Sequence, residues 1–442
     1  MTFVKRAMRT LFLLLFLTLA SAPLHAESWG QWRGPFFNGS SSETGLPSKF
    51  SKTENVKWSV PMPGPSAATP IVWGERVFIS SVDDQKKSIC ALCLDRNSGK
   101  TLWQHETGSG YSQDRMSNFA SPSPATDGKL VVFFYGSGEM VAYDFDGKQV
   151  WARNIQKEYG PFAFNWTFSS SPVLYNGKLY LQVLQRDVPV HGHGRSDGPN
   201  DSYLLALDPK TGKELWKQMR PCDAREESRE AFTTPVPFTE NGVTQLLVAG
   251  GDCLNSYDPE TGKELWRWGT WNPTRIEHWR LVPSPVAGAG VALACAPKGS
   301  PIYALKVNGK GALDDSAIAW KSPQREVSSD VSTPLFYKGR FYVLNSDRKS
   351  LACLDPSGKL AWNGNLESRA KIEASPTGAD GKIYVMNFRG DVFVIGTGEK
   401  LEVLHTAAMG DEGDDHIRSS IAVSQGNLFI RTVSKLYCVG AK

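Results

Sequence analysis

Two short motifs in this sequence contain residue types that bind metals or exchange electrons. Cys90 and Cys93 form a Cys-x-x-Cys pair, a spacing typical of thiol redox centres and zinc sites. His191 and His193 form a His-x-His pair, which an aspartate further along the same stretch would complete as a metal site. Each pair supplies fewer ligands than a closed zinc site needs. We therefore assign no metal-binding residue from the sequence.

Acids and bases are scattered along the chain rather than gathered in a motif. Glu230, Glu277, His278 and His416 are the residues that a hydrolase or lyase would use. The sequence contains no Gly-x-Ser-x-Gly, no phosphate-binding loop and no His-Glu-x-x-His. No nucleophile is paired locally with a base, so the sequence assigns no catalytic residue and favours a protein that is not an enzyme.

The elements that must position these side chains are repeated. Asp208–Trp216 reads Asp-Pro-Lys-Thr-Gly-Lys-Glu-Leu-Trp and returns almost unchanged as Asp258–Trp266. A second motif precedes it, as in Ser171–Leu181 and Thr333–Val343, where a Ser-Pro or Thr-Pro start leads through a Gly-containing turn into an alternating apolar strand. Four antiparallel strands that recur about every 40 to 50 residues are typical of the blades of a β-propeller.

The number of blades follows from the residues that mark the fourth strand of each unit. These are Trp58, Trp103, Trp151, Trp216, Trp266, Trp320 and Trp362, with Leu404 in the eighth place. The strand around Trp58 has no unit before it, and the last unit lacks a fourth strand. The sequence therefore predicts an all-β, eight-bladed β-propeller of four-stranded antiparallel blades, closed into a ring by the N-terminal strand. Seven blades are the alternative, because the units near Pro285 and Ser420 are degenerate.

Three segments divide the chain. Residues 1–26 carry early basic residues, the apolar run Leu11–Ala20 and a small-residue cleavage site, which together predict a secretory signal peptide. An N-terminal extension follows at 27–55, and a single propeller at 56–442. We expect an exported protein in the periplasm or outside the cell, without a membrane span; an uncleaved anchor is the alternative. The 49 Lys and Arg against 45 Asp and Glu are too balanced for a nucleic-acid-binding surface.

The repeated motif, seen best in Ala206–Trp216, resembles the pyrroloquinoline-quinone (PQQ) repeat. This is the repeat of quinoprotein alcohol dehydrogenases and of the outer-membrane β-barrel assembly lipoprotein, both eight-bladed propellers. The resemblance covers about residues 56–440, and Trp29–Pro35 also resembles the opening of exported PQQ-like propellers. It implies the fold and leaves PQQ as the cofactor to be considered.

The chain departs from both groups of relatives. It has no adjacent Cys-Cys pair, which in the dehydrogenases lies over the cofactor, and no motif that matches their calcium ligands Glu, Asn and Asp. Leu94 follows Cys93, where a haem attachment motif needs His. There is no cysteine at the signal cleavage site, where the assembly protein is lipidated. The sequence therefore disfavours bound PQQ and names no cofactor.

The repeat also gives an interpretation of the cysteines. Cys93, Cys353 and Cys438 stand at the position that Ala142 and Ala206 occupy in other units. Equivalent positions of different blades lie on different radii of a propeller, so these three cysteines should not meet. We expect them to be small buried residues rather than ligands of one metal.

Irregular loops are predicted on one face, where each fourth strand leads to the next blade and second strands lead to third strands. We call it the long-loop face, and binding is usually placed on loops of this kind. Its candidate binding residues are Arg115, Asn118, Trp166, Glu230, Arg275, His278, Trp279, Arg280, Asp330, Lys371, Glu373, His416 and Arg418.

A shared register is expected to arrange part of this face as a ring around the channel mouth. The position lies four residues before each inner-strand Ser or Thr, and comprises Ser117, Thr167, Glu230, Arg280, Ser329, Lys371 and His416. A mixed-charge ring of this kind suits a polar ligand, a sugar or a peptide end. The alternative is that these side chains only satisfy one another by ion pairing.

The sequence thus favours an exported, non-catalytic and monomeric propeller that binds an envelope protein or a small polar ligand through its long-loop face. The first alternative is a PQQ- or metal-dependent dehydrogenase of quinoprotein type with a divergent site. The second is a hydrolase or lyase that uses the scattered acids and bases named above.

Overall fold

Strands and turns alternate through the chain as the repeats predict, in a computed structural model that describes residues 28–111, 113–323 and 325–441. The predicted signal peptide, residues 1–26, lies outside the described residues. The described strands form eight sheets, each in one blade, which confirms the eight-bladed, antiparallel β-propeller. Seven blades are excluded, because the degenerate units near Pro285 and Ser420 each form a complete four-stranded sheet.

The first strand, β1 (Val56–Pro61), belongs to the last blade. Blade 1 contains β2 (Ile71–Trp73), β3 (Arg76–Asp83), β4 (Ser88–Asp95) and β5 (Thr101–Ser109). Blade 2 contains β6 (Ala125–Thr126), β7 (Leu130–Phe134), β8 (Glu139–Asp144) and β9 (Gln149–Asn154). Blade 3 contains β10 (Val173–Tyr175), β11 (Lys178–Val183), β12 (Tyr203–Leu207) and β13 (Glu214–Met219). Blade 4 contains β14 (Val236–Glu240), β15 (Val243–Gly250), β16 (Cys253–Tyr257) and β17 (Glu264–Trp268).

The second half of the ring follows the same order. Blade 5 contains β18 (Val286–Gly288), β19 (Val291–Cys295), β20 (Ile302–Lys306) and β22 (Ile318–Lys321), and the intervening β21 (Gly311–Ala312) pairs in parallel with β17 of blade 4. Blade 6 contains β23 (Leu335–Tyr337), β24 (Arg340–Asn345), β25 (Ser350–Leu354) and β26 (Leu360–Asn365). Blade 7 contains β27 (Thr377–Ala379), β28 (Lys382–Met386), β29 (Asp391–Gly396) and β30 (Val403–Ala408). Blade 8 contains β31 (Ala422–Ser424), β32 (Asn427–Arg431), β33 (Lys435–Gly440) and β1.

In the residues that the structure describes, helices are short and lie between strands. The helix α1 (Ile155–Tyr159) begins at Asn154, whose side chain accepts a hydrogen bond from the Lys157 N–H. Two short 3₁₀ helices lie at Glu226–Arg229 and Asp315–Ala317. None of the helices in the described ranges is long and apolar enough to cross a membrane.

The N-terminal strand closes the ring, as predicted. β1 pairs antiparallel with β33, with Trp58 opposite Cys438. The Trp58 indole N–H donates to the backbone oxygen of Arg96 in blade 1 at 2.7 Å. Bonds of this type also join other neighbouring blades, as from Trp151 in blade 2 to Pro209 in blade 3. Closure pairs the outer edge of β33, which would otherwise be exposed.

Strand pairing confirms the interpretation of the cysteines in the repeat. Cys93, Cys353 and Cys438 lie opposite Trp103, Trp362 and Trp58 in blades 1, 6 and 8. All three cysteines are buried, each in its own blade. Each is therefore a small buried residue directly across from a tryptophan of its own blade.

The tryptophan position of blade 7 is shifted by one residue from the prediction. His405, and not Leu404, pairs with Val394 at the place where other blades have tryptophan. The His405 ring nitrogen lies 2.7 Å from the Phe50 backbone oxygen, and Leu404 points outward and is exposed. Without a tryptophan in this strand, the sequence did not show which of two neighbouring residues takes the tryptophan position. The choice matters because neighbouring strand residues face opposite sides of the sheet.

Residues 28–50, here called the strap, cross the face opposite the long loops. Trp29 and Gly30 accept backbone hydrogen bonds from Val72 of blade 1 and Thr126 of blade 2, both at 2.8 Å. Further along the strap, the Ser41 N–H donates to Gly378 of blade 7 at 2.9 Å. The Gln31 side chain accepts a hydrogen bond from the Leu174 N–H of blade 3 at 3.0 Å. Since blade 3 lies opposite blade 7 in a ring of eight, the strap spans the channel from one side to the other.

Candidate functional site

Hydroxyl groups link the innermost strands around the channel. The backbone N–H of Thr69 in blade 1 donates to the Ser123 hydroxyl of blade 2, and this bond recurs from blade to blade as far as blade 8, with N···O distances of 2.8–3.2 Å. The accepting residues, here called the hydroxyl ring, are Ser123, Ser171, Thr234, Ser284, Thr333, Ser375 and Ser420. They are the Ser or Thr that open the inner-strand motif, so the repeat itself builds the wall of the channel.

One residue from every blade lies just above the hydroxyl ring and lines a cavity that opens to the long-loop face. Each stands two residues before Thr69 or a ring hydroxyl, in the segment that leads into the inner strand. We call these residues the collar: Ala67, Ser121, Ser169, Phe232, Val282, Val331, Glu373 and Arg418. The cavity measures about 160 Å³, and Trp32 of the strap lines it from the opposite end.

The collar lies two residues closer to each inner-strand hydroxyl than the ring that the sequence predicts for the channel mouth. From that set Thr167 and Arg280 line the cavity, whereas Glu230, Lys371 and His416 do not. Ser329, also in the set, does not line it either. Ser117 also lines the cavity, but it does not stand four residues before a ring hydroxyl. The hydroxyl-ring residue of blade 2 is Ser123 and not Ser121.

The collar carries one ion pair, between blades 7 and 8. Glu373 is buried, and its two oxygens lie 2.7 Å from Arg418 Nε and 3.1 Å from Lys371 Nζ. Arg418 also lies over the Phe388 ring, 4.8 Å from its centroid. Since both carboxylate oxygens have cationic partners, Glu373 fixes the position of Arg418 at the cavity wall.

A second cluster lies at the mouth, on the loops that lead into blades 2 to 5. The guanidinium carbons of Arg115 and Arg280 lie 6.0 and 5.7 Å from the centroid of the Trp166 ring. Glu227 accepts from Arg280 Nη1 at 2.7 Å and from the Trp166 indole N–H at 3.3 Å. This carboxylate therefore holds an aromatic ring and a cation at the rim of the cavity.

Glu230 is buried behind this rim and does not line the cavity. Its carboxylate accepts from Arg186 Nε at 2.6 Å and from the Asn165 N–H at 3.1 Å. Burial raises the pKa of Glu230 to about 7, although the hydrogen bond from Arg186 acts in the opposite direction. Asn165 precedes Trp166, so the carboxylate supports the loop that carries the rim cluster.

The sequence-predicted site residues fall into three groups. Five line the cavity: Trp166, Arg280, Asp330, Glu373 and Arg418. Three line an adjoining depression that shares Ser117 and Arg418 with the cavity: Arg115, Asn118 and His416. The other five lie outside both: Glu230, Arg275, His278, Trp279 and Lys371.

Several residues that line the cavity were not predicted from the sequence, among them Trp32, Phe232, Val282, Lys298 and Val331. Phe232, Val282 and Val331 could be located from the repeat, because they stand two residues before the inner-strand Ser or Thr. Apolar residues at that place were, however, interpreted as part of the hydrophobic core. Nothing in the repeat indicated that Trp32 would reach the channel, because the strap lies outside the repeated units.

The scattered acids and bases do not form a catalytic group. Glu230 is buried against Arg186, whereas His278 is exposed. His416 is exposed and lies 3.7 Å from Asp415.

The residues present do not fit a metal-bound quinone. Of the two carboxylates on the cavity wall, Glu373 has two cationic partners, and Asp330 accepts from the Lys298 N–H at 2.8 Å. Within 28–111, 113–323 and 325–441, no three His, Cys, Asp or Glu side chains form a group that could hold a metal. The cysteines of these ranges are free thiols, so no disulfide covers the cavity.

Comparison with known proteins gives a family and a fold. The sequence matches the family described as "Outer membrane protein assembly factor BamB" over residues 43–185 and 200–440. Polyvinylalcohol dehydrogenase from a Pseudomonas species is 25% identical over 203 residues, which is 43% of this chain but only 29% of that protein.

Two solved structures show the same architecture. A europium-containing methanol dehydrogenase superposes with a TM-score of 0.69 at 12% identity, over 94% of this chain and 98% of that chain. BamB from Moraxella catarrhalis superposes with a TM-score of 0.58 at 11% identity, over 87% of this chain and 99% of that chain. At such low identity these likenesses show the fold alone.

Proposed function

Because this chain belongs to the PQQ-repeat β-propeller family described as the outer membrane protein assembly factor BamB, we propose that it is an exported, non-catalytic binding protein. Its ligand enters the cavity from the long-loop face. The observation that carries the proposal is the collar, because one residue of every blade contributes to a single cavity. Trp32 lines the far end, so the long-loop face is the side of entry.

The chemistry of the wall supports binding rather than reaction. Asp330 and Glu373 are both engaged by cations. The hydroxyl ring is fixed by backbone hydrogen bonds, so its members are positioned before any ligand arrives. Preorganised polar groups in a small cavity are typical of ligand recognition. A small polar ligand therefore suits the cavity, and an envelope protein is the alternative occupant of the wider loop surface.

The experiment blocks the cavity without touching the ring. Ser169→Trp introduces a large side chain at the collar, and Lys210→Trp places the same side chain on an exposed turn of the opposite face. Both variants and the wild type are heated with fractions of an envelope extract, and their melting temperatures are compared. We expect a fraction that raises the melting temperature of the wild type and of Lys210→Trp but leaves Ser169→Trp unchanged. An equal response of all three proteins, or of none, would contradict binding in this cavity.

The exported location is tested by the mass of the mature chain. If residues 1–26 are a cleaved signal peptide, protein recovered from the periplasm or the medium has an intact mass that begins at Glu27. Size-exclusion chromatography with light scattering should report a monomer. Retention of the uncleaved chain in the cytoplasm would contradict the exported location.

The second candidate is a PQQ- or metal-dependent dehydrogenase with a divergent site. The observation in its favour is the matched segment of polyvinylalcohol dehydrogenase, 25% identical over 203 residues. Reduction of a redox dye with alcohols, after PQQ and Ca²⁺ are added, tests it. Dye reduction that requires both PQQ and the protein would support the dehydrogenase and contradict the non-catalytic function.

A further inference from the structure

The hydroxyl ring presents hydrogen-bond donors to the cavity. Each ring oxygen accepts a backbone N–H, so its own proton needs an acceptor elsewhere. Over the described ranges, the ring hydroxyls bond to no protein acceptor with those protons. Ser123, Ser171, Thr234, Thr333, Ser375 and Ser420 line the cavity directly. The occupant of the cavity is therefore a group that accepts several hydrogen bonds.

The cations on the wall are paired with carboxylates, but not equally. Arg280 is paired with Glu227 at the rim, and Lys298 lies 3.8 Å from Asp330. Glu373 is shared by Arg418 and by Lys371 just outside the cavity. Because one buried carboxylate serves two cations at this point of the wall, an anion is favoured there over a further cation.

Arg418 is the cation best placed to bind that anion. Its Nε donates to Glu373 at 2.7 Å and its Nη1 contacts the His416 backbone oxygen at 3.4 Å. Its Nη2 has no hydrogen-bond partner in the part of the chain that the structure describes. The side chain is held in place by Glu373 and Phe388, so a free guanidinium N–H is presented without a further loss of side-chain entropy.

The opposite wall is apolar. Phe232, Val282 and Val331 supply the collar positions of blades 4, 5 and 6. In a ring of eight blades, blade 4 lies across the axis from blade 8, so Phe232 faces Arg418. A neutral sugar would satisfy the hydroxyl ring, but it would leave these apolar side chains against polar surface.

We propose that the cavity binds a small monocarboxylate with an apolar body. Its carboxylate accepts from Arg418 and the nearby hydroxyls of Ser375 and Ser420, and its apolar part packs against Phe232 and the adjacent valines. This inference rests on the proposed function, because it names the class of ligand for the same cavity. The cavity of about 160 Å³ limits the ligand to a small molecule.

The test compares three probes of one shape and different charge. Phenylacetate, phenylacetamide and phenethylamine are titrated into the exported chain by calorimetry, with the fluorescence of the lining residues Trp32 and Trp166 as a second signal. We expect phenylacetate to bind about tenfold more tightly than the amide, with an affinity that falls as salt is added. Equal binding of acid and amide, tighter binding of the amine, or binding of none of the three would overturn the proposal.

Variants of the arginine assign the carboxylate to its partner. Arg418→Gln should weaken phenylacetate about tenfold and leave phenylacetamide unchanged, and Arg418→Lys should restore part of the affinity. Arg348→Gln, on an exposed long-loop residue outside the cavity, is the matched control and should have no effect. If Arg418→Gln does not fold, the comparison of phenylacetate with phenylacetamide on the wild type still tests whether the cavity prefers a carboxylate. The blocked variant Ser169→Trp tests the proposed function separately, because it does not depend on the charge of the ligand.

Discussion

The backbone N–H of Ser123 in blade 2 donates to the hydroxyl of Ser171 in blade 3, with 3.0 Å between nitrogen and oxygen. Both residues are buried. The hydroxyl of one blade thus satisfies a main-chain group of the preceding blade that water does not reach. The same relationship repeated around the axis makes the hydroxyl ring a structural belt as well as the wall of the cavity.

Removal of one hydroxyl should therefore weaken the belt. In Ser171→Ala the Ser123 N–H loses its acceptor, and we expect the free energy of unfolding to fall by about 1–3 kcal/mol, as measured in urea. Ser171→Thr is the matched control, because Thr234 and Thr333 occupy the equivalent place in blades 4 and 6. Alanine and threonine variants of equal stability would show that the bond between blades contributes nothing.

The fold could be predicted from sequence because its signals are local. A turn such as Asn176-Gly177, a Ser-Pro start and a terminal tryptophan each fix a piece of one blade, and repetition supplies the number of blades. The unpaired strand at Trp58 likewise indicated the closure. These features depend on residues close in sequence, and all of them are present in the structure.

The site was predicted less well, since its register along the channel is not local. The positions two and four residues before Ser171 both precede the inner strand, and both line the cavity. Only the packing of all blades decides that Ser169, rather than Thr167, belongs to the collar. In blade 2 the doubled sequence Ser121-Pro-Ser123-Pro made the choice ambiguous. The strap has no repeat at all, and its path across the channel could not be inferred.

Arg33 should hold the strap on the propeller. Arg33 is buried, and its guanidinium donates to the backbone oxygens of Pro334 at 2.7 Å and Pro376 at 2.8 Å. Arg33→Met would leave both oxygens without a donor, and we expect a loss of at least about 2 kcal/mol in the free energy of unfolding. Because the strap would be released, trypsin or thermolysin should then cut within residues 28–50 of the otherwise folded protein.

Arg33→Lys is the control for this experiment. The ammonium keeps the charge but lacks the fork that reaches two carbonyl groups, so we expect intermediate stability and intermediate protection. A strap that stays fully protected in Arg33→Met would refute its attachment through this residue.

Glu230 should make stability depend on pH. The pKa of its carboxyl is raised from 4.5 to about 7 by burial, so the folded protein holds the proton more tightly than the unfolded chain does. The resulting stabilisation is complete below about pH 4.5 and is lost as the pH rises through 7, by up to about 3 kcal/mol.

The difference between wild type and Glu230→Gln isolates this contribution. Glutamine keeps an acceptor for Arg186 but does not titrate, so the wild type should lose stability relative to the variant between pH 4.5 and 7. Asp252, whose pKa burial raises to about 6, contributes to both curves and cancels in the difference. Parallel curves across this range would contradict the raised pKa of Glu230.

The thiols provide the last prediction, because their exposure differs by position. Cys222 and Cys253 are partly exposed, whereas the other cysteines are buried, and burial raises the pKa of Cys90, Cys93 and Cys438 to about 12. Thiolate is the reactive form. A thiol reagent at neutral pH should therefore label Cys222 first and Cys253 more slowly, since burial also raises the pKa of Cys253. The double variant Cys222→Ser, Cys253→Ser should react only after denaturant is added. Rapid labelling of Cys93 in the native protein, located by mass spectrometry, would contradict its burial in the folded blade.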